Sequence, residues 1–147
     1  MTVSRGLRRL LRVRELEEEQ RRLALESALA ELHQAVELMD CAQARGRMGR
    51  ELLASSVHSG EIADRLAGLE ESRSATQQTE NLAVRLNAFE AQVEELRATY
   101  LATRVERRQA EALIEETEAR DAVEAARSGQ QDLDEWHRAR RGRNVRS

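Results

Sequence analysis

Three histidines, one cysteine and several glutamate runs are the residues of this chain best suited to chemistry. His33, His58 and His137 would act as metal ligands or proton carriers, yet none has a second histidine or cysteine one helical turn away. Cys41 would be a nucleophile, but no adjacent histidine activates it, and it reads as a small buried hydrophobe. Glu17-Glu18-Glu19 and Glu115-Glu116 read as solvated faces, and no glycine-rich loop could cradle a phosphate. These residues therefore predict no metal, no cofactor and no catalytic site. Function is expected in what the chain touches.

The strongest spacing is apolar. Leu82, Leu86, Phe89, Val93, Leu96, Tyr100 and Thr103 follow one another at alternating steps of four and three. That is the seam of a helix wound against another helix. The 147 residues hold no proline, 35% charged residues and 2% aromatics, so few large side chains could fill a compact globule. Ala, Glu, Leu, Arg and Gln dominate, all good helix formers. The expected fold is all-α, a long two-helix antiparallel coiled-coil hairpin over residues 1–147. Such a rod offers no pocket for a substrate.

Helix 1 is expected over about 3–54. Its best seam is Leu25, Leu29, Leu32, Val36, Met39, Gln43, Gly46, Arg50, Leu53 and Val57. Upstream, Leu7, Leu10, Leu11, Val13, Leu16 and Leu23 leave that register, which predicts a stutter between Leu16 and Leu25. Ser55-Ser56-Val57-His58-Ser59-Gly60 is the clearest break, with Ser59 able to cap the next helix. Ser74 and Gln77 fit a capping box. Two arrangements stay open: a short connecting helix over 61–72 within a connector at 55–75, or one helix running straight through. Helix 2 is expected from about 76 to 140, with Val105, Ala110, Leu113, Ile114 and Val123 extending its stripe and a basic tail at 141–147.

Charge is distributed unevenly. All 24 basic residues are arginine. Five (Arg5, Arg8, Arg9, Arg12, Arg14) lie in residues 1–14, and five (Arg138, Arg140, Arg141, Arg143, Arg146) in 137–147, with no acid in either stretch. The middle, 15–136, carries a net charge of −13. Arginines at a helix N-terminus oppose the macrodipole, and Arg14 before Glu18 is the weaker order for a pair four apart. A pattern that does not serve the fold is a candidate binding surface. If the chain folds back near residue 59, helix 2 overshoots its partner by about two dozen residues. Nucleic acid is not the expected partner: apolar residues interrupt the basic stretch, no asparagine is placed there to read a base, and aromatics for stacking are lacking. The lone cysteine fits a reducing compartment, and no apolar run approaches a membrane span or a signal peptide.

Both ends carry a more particular pattern. Leu7-Arg8-Arg9-Leu10-Leu11-Arg12-Val13-Arg14-Glu15-Leu16-Glu17-Glu18-Glu19-Gln20 resembles the opening of the bacterial flagellar export protein FliJ family. Leu133-Asp134-Glu135-Trp136-His137-Arg138-Ala139-Arg140-Arg141 resembles its ending. The resemblance implies a stalk-like hairpin, related to injectisome stalk proteins, that inserts into the hexameric type III export ATPase FliI and promotes its assembly and activity. It also implies contacts with the export-gate protein FlhA and with export chaperones, at the cytoplasmic face of the inner membrane. Under that resemblance the ATPase contact falls on Leu7, Arg8, Arg9, Leu11, Arg12, Leu133, Trp136, Arg140 and Arg141. The gate contact falls near the fold-back, on Met48, Leu52, Val57, Ile62, Leu66 and Leu69. The alternative is a homo-oligomeric structural scaffold buried along the Leu82–Tyr100 seam.

Overall fold

The computed structural model describes residues 3–146. They form two long α-helices packed against each other, α1 (Arg5–Ser59) and α2 (Ile62–Arg146). Contacts group the chain into two units, Gln20–Leu101 and Met1–Glu19 with Ala102–Ser147. Ser4 starts α1: its Oγ accepts from Leu7 N at 3.2 Å, as an N-cap does. The reversal takes only Gly60 and Glu61. Gly60 adopts φ +73°, a left-handed conformation that L side chains rarely adopt, while its N–H donates to Ser56 O at 2.9 Å. The Ser59 hydroxyl accepts from Glu61 N at 3.5 Å, a long contact beside the start of α2. Asp64, hydrogen-bonded and like-charged, holds the Glu61 carboxyl above its ordinary range.

No separate connecting helix forms over 61–72, and Ser74 and Gln77 cap nothing. Both lie inside α2, which also continues beyond residue 140 to Arg146. The polar run is tolerated because Thr76 and Thr79 turn their hydroxyls onto the carbonyls of Ser72 and Ala75, at 2.8 and 2.7 Å. It is also small: Gly68 and Ala75 are buried, and Ser72 and Thr79 half-buried, against α1.

Within Gln20–Leu101 the expected α2 seam is present. Leu82 and Val93 are buried, and Leu86, Phe89, Leu96 and Tyr100 are half-buried. The α1 seam is shifted by one residue at every second position. Ala28, Ala35, Ala42, Gly49 and Ser56, seven apart, are buried, interleaved with Leu25, Leu32, Met39, Gly46 and Leu53. Leu29, Val36 and Val57 are left 38, 40 and 61% exposed, and Gln43 and Arg50 face solvent. The physical reason is close approach. A Cβ built on Gly49 would lie 2.9 Å from Ser72 N, and one on Gly68 would lie 2.8 Å from Gly49 O and from Leu53 N. Backbone touches backbone there, so small residues occupy the contact line and larger neighbours move outside it.

In the other unit the four-and-three spacing holds without a stutter. Leu7, Leu11, Arg14 and Glu18 are half-buried on α1, and Thr103, Arg107, Ile114, Thr117 and Asp121 are half-buried on α2, with Ala110 buried. Val105, Leu113 and Val123, expected on the stripe, are about half exposed. Polar residues keep the register where the leucines leave it.

The Gly68 contact sets a clear expectation. Gly68→Ala should lower the thermal midpoint of helix loss by circular dichroism, because overpacking costs about 1–3 kcal/mol and outweighs the gain in helix propensity. Gly142→Ala, whose added Cβ meets nothing within 4 Å, should not lower it.

Candidate partner-binding surfaces

The unit built from residues 1–19 and 102–147 holds both arginine clusters. Arg5, Arg8, Arg9 and Arg12 are exposed on the first turns of α1. Arg14 turns inward instead. It donates to Glu106 of α2 at 2.9 Å and to Glu17 at 3.1 Å, so the expected Arg14–Glu18 pairing is not the one formed. Glu18 accepts from Arg107 Nε, and Arg107 also donates to Glu111 at 2.6 Å. The Glu111 hydrogen bond raises the Arg107 pKa above its ordinary value against the opposing effect of desolvation, and Glu18 adds to the rise. Glu18 and Arg107 are only 16 and 22% exposed, and both occupy seam positions. A polar pair inside a coiled-coil seam fixes which residues stand opposite one another.

Leu7 and Leu11 half-bury themselves on this seam, while Arg8, Arg9 and Arg12 stay in solvent. Leu10, Arg14, Glu106, Gln109, Ala110 and Leu113 border a shallow groove beside them. Leu133, Trp136, Arg140 and Arg141 stand elsewhere. Asp121 is the last residue of α2 that is not fully exposed, and 122–146 continue as helix with every residue in solvent. This is the overshoot that a fold-back near residue 59 predicts. At 1.5 Å per residue, Arg138 lies about 25 Å beyond Asp121. Between them come four acids, Glu124, Asp132, Asp134 and Glu135, against Arg127 alone. The two basic clusters therefore share one unit without merging into one patch. At the overhang's tip Arg140 stacks over the Trp136 ring at 5.2 Å, and His137 meets the ring edge-on at 5.1 Å.

In the hairpin unit the residues expected at the gate contact lie on both sides of Gly60. Met48, Val57, Ile62 and Leu66 are 61–73% exposed, Leu52 is 37% exposed and Leu69 half-buried. The close backbone contact explains this: glycine, serine and alanine fill the seam, so the large apolar side chains are turned outward. Arg45, Met48, Gly49, Glu51, Leu52, Ser55 and Glu71 line a groove there, and Arg45 pairs with Glu71 at 3.6 Å and with Gln78. Leu66 and Leu69 border a second groove on the outer side of α2. Cys41 is exposed, not buried as its type suggested, because Ala42 takes the neighbouring seam position. His33 is exposed and lies 3.4 Å from Glu37.

Sequence reasoning missed the Glu18–Arg107 pair, the Gly49–Gly68 contact and the Ser4 cap. The seven-residue repeat of Ala28, Ala35, Ala42, Gly49 and Ser56 was the available signal for the second of these. Among the described residues, no group of His, Cys, Asp and Glu converges as a metal site would, and no helix is long and apolar enough to cross a membrane. No family model matches the chain, and no curated protein or solved structure matches it.

Glu18→Gln and Arg107→Gln should each lower the thermal midpoint. In a double-mutant cycle, the pair of changes should cost less than the two single costs added. Raising the salt concentration should shrink that coupling.

Proposed function

We propose that this chain is a non-enzymatic, stalk-like factor of a type III protein-export system, similar in role to the FliJ family. It engages a hexameric export ATPase through the unit that carries both termini, promoting assembly and activity of the ring. One observation carries the reading: α2 projects 25 residues past its last partly covered seam position and ends in arginines, on the same unit as the exposed Arg8, Arg9 and Arg12. A helix without a packing partner presents side chains on all faces, which suits insertion into a ring whose walls are acidic. With Arg138 about 25 Å beyond Asp121, the two basic clusters would meet the ring at two levels.

The turned-out apolar residues near Gly60 suit a second partner. Met48, Leu52, Val57, Ile62, Leu66 and Leu69 are assigned to the export-gate protein, with substrate chaperones handled by the assembled complex. The chain would then work in the cytoplasm, held at the inner membrane through the export apparatus. A scaffold built along the Leu82–Tyr100 seam fits less well, because α1 covers that seam within a single chain.

Charge reversal at Arg8, Arg9, Arg140 and Arg141 tests the ATPase contact. The expected result is loss of ATPase stimulation with helical circular dichroism retained. Undiminished stimulation by a helical variant would refute the site. Leu52→Asp with Met48→Asp should instead weaken binding to the gate's cytoplasmic domain and leave ATPase stimulation intact.

A further inference from the structure

The overhang of α2 contains two glycines, Gly142 near its end and Gly129 well inside it, and Gly129 has no local reason to be there. Gly129 lies in a helix interior, where glycine is less stable than alanine. The interior glycines Gly46, Gly49 and Gly68 each face the other helix, with a neighbour within 3.4 Å of an added Cβ. An added Cβ at Gly129 meets nothing within 4 Å. The overhang also changes its apolar face. Where the seam would continue stand Glu124, Ser128, Gln131, Glu135 and Arg138. On the opposite side Ala122, Ala126, Gly129, Leu133 and Trp136 follow at steps of four, three, four and three. Leu133 and Trp136 are each 50% exposed. This is a second seam, with small residues at its start, a glycine at its centre and large residues at its end.

We propose that a second copy of this chain packs antiparallel on this face, centred on Gly129. Reversing the stripe about Gly129 sets Trp136 of one copy against Ala122 of the other, and Leu133 beside Ala125 and Ala126. Large side chains then meet small ones, and the two glycines let the backbones approach at the crossing. Charge agrees with the same register. Arg143 falls opposite Glu115, where the stripe's steps continue upstream through Ala119, and Arg140 falls opposite Glu118, which borders the stripe; both glutamates are exposed. A parallel pair would place arginine on arginine and tryptophan on tryptophan, so the charges select the antiparallel one. The stripe faces away from the α1–α2 seam, so the second copy displaces nothing. Pairing gives a 25-residue helix the partner that an isolated helix in water lacks. It also covers Leu133, Trp136 and Arg140, so the paired form and a ring-engaged form would exclude each other.

Sedimentation velocity of the full chain alone, over a concentration series at low salt, tests the pairing. A dimer that weakens as salt is raised is expected. Gly129→Arg, which has open space in the single chain, should weaken dimerisation at least about tenfold with helical content retained. On a Cys41→Ser background, Gly129→Cys should oxidise to a disulfide-linked dimer, since the two sites meet at the crossing. Ala122→Cys alone should not, whereas a mixture of Ala122→Cys and Trp136→Cys should. A chain that stays monomeric throughout the low-salt series overturns the proposal. So does a dimer indifferent to Gly129→Arg, or one that Ala122→Cys cross-links to itself as readily as Gly129→Cys does. No ATPase enters the experiment, so its failure leaves the export reading standing, and failure of ATPase stimulation leaves the pairing standing.

Discussion

Contact between the backbones of α1 and α2 at Gly49 and Gly68 governs the arrangement of the hairpin unit. A Cβ on either glycine would come within 3.0 Å of main-chain atoms of the other helix. Two helices this close leave little room for large side chains at the crossing, so Gly46, Ser56, Ser72 and Ala75 share the line with Leu53. The buried area per turn is smaller than in a leucine seam, and packing density and dispersion take a larger part in holding the helices together. One consequence reaches the surface. Apolar residues that a wider seam would have swallowed, among them Met48, Val57, Ile62 and Leu66, stand in solvent on both sides of the Gly60 turn.

The other unit is held differently. Its seam includes Leu7, Leu11, Ala110 and Ile114, but also Arg14, Glu18 and Arg107, which reach across to acids or arginines on the facing helix. Partly exposed ion pairs contribute modestly to stability but discriminate between registers, because a slip by one turn leaves charges facing apolar side chains. This arrangement lets the first turns of α1 carry four exposed arginines without losing alignment with α2. Arg14, the fifth basic residue of that stretch, is part of the clamp and not of the basic surface.

Much of this was legible in the sequence. The alternating steps from Leu82 to Thr103 identified the α2 seam because large apolar residues announce burial. The serine and glycine cluster ending at Gly60 marked the reversal. The α1 seam was misplaced by one residue because leucine and valine at 29, 36 and 57 look more hydrophobic than alanine, glycine and serine at 28, 35, 42, 49 and 56. Hydrophobicity ranks the cost of exposure, whereas close packing selects for size. The polar run from Ser72 to Thr79 looked like a helix boundary for the same reason, since its small hydroxyl residues both break helices and permit close contact. Of the residues expected at the ATPase contact, Arg8, Arg9, Arg12, Arg140 and Arg141 are exposed. Their separation along the unit comes from the turn position, which charge counting alone does not supply.

Nuclear Overhauser contacts across the hairpin unit probe the close seam without intermediaries. Backbone contact at the two glycines predicts cross-peaks from the Gly49 α-protons to those of Gly68 and to the Ser72 amide, with the Leu29, Val36 and Val57 methyls showing none to α2 seam residues. Methyl contacts from Val36 and Val57 into that seam, with the Gly49–Gly68 cross-peaks missing, would refute it.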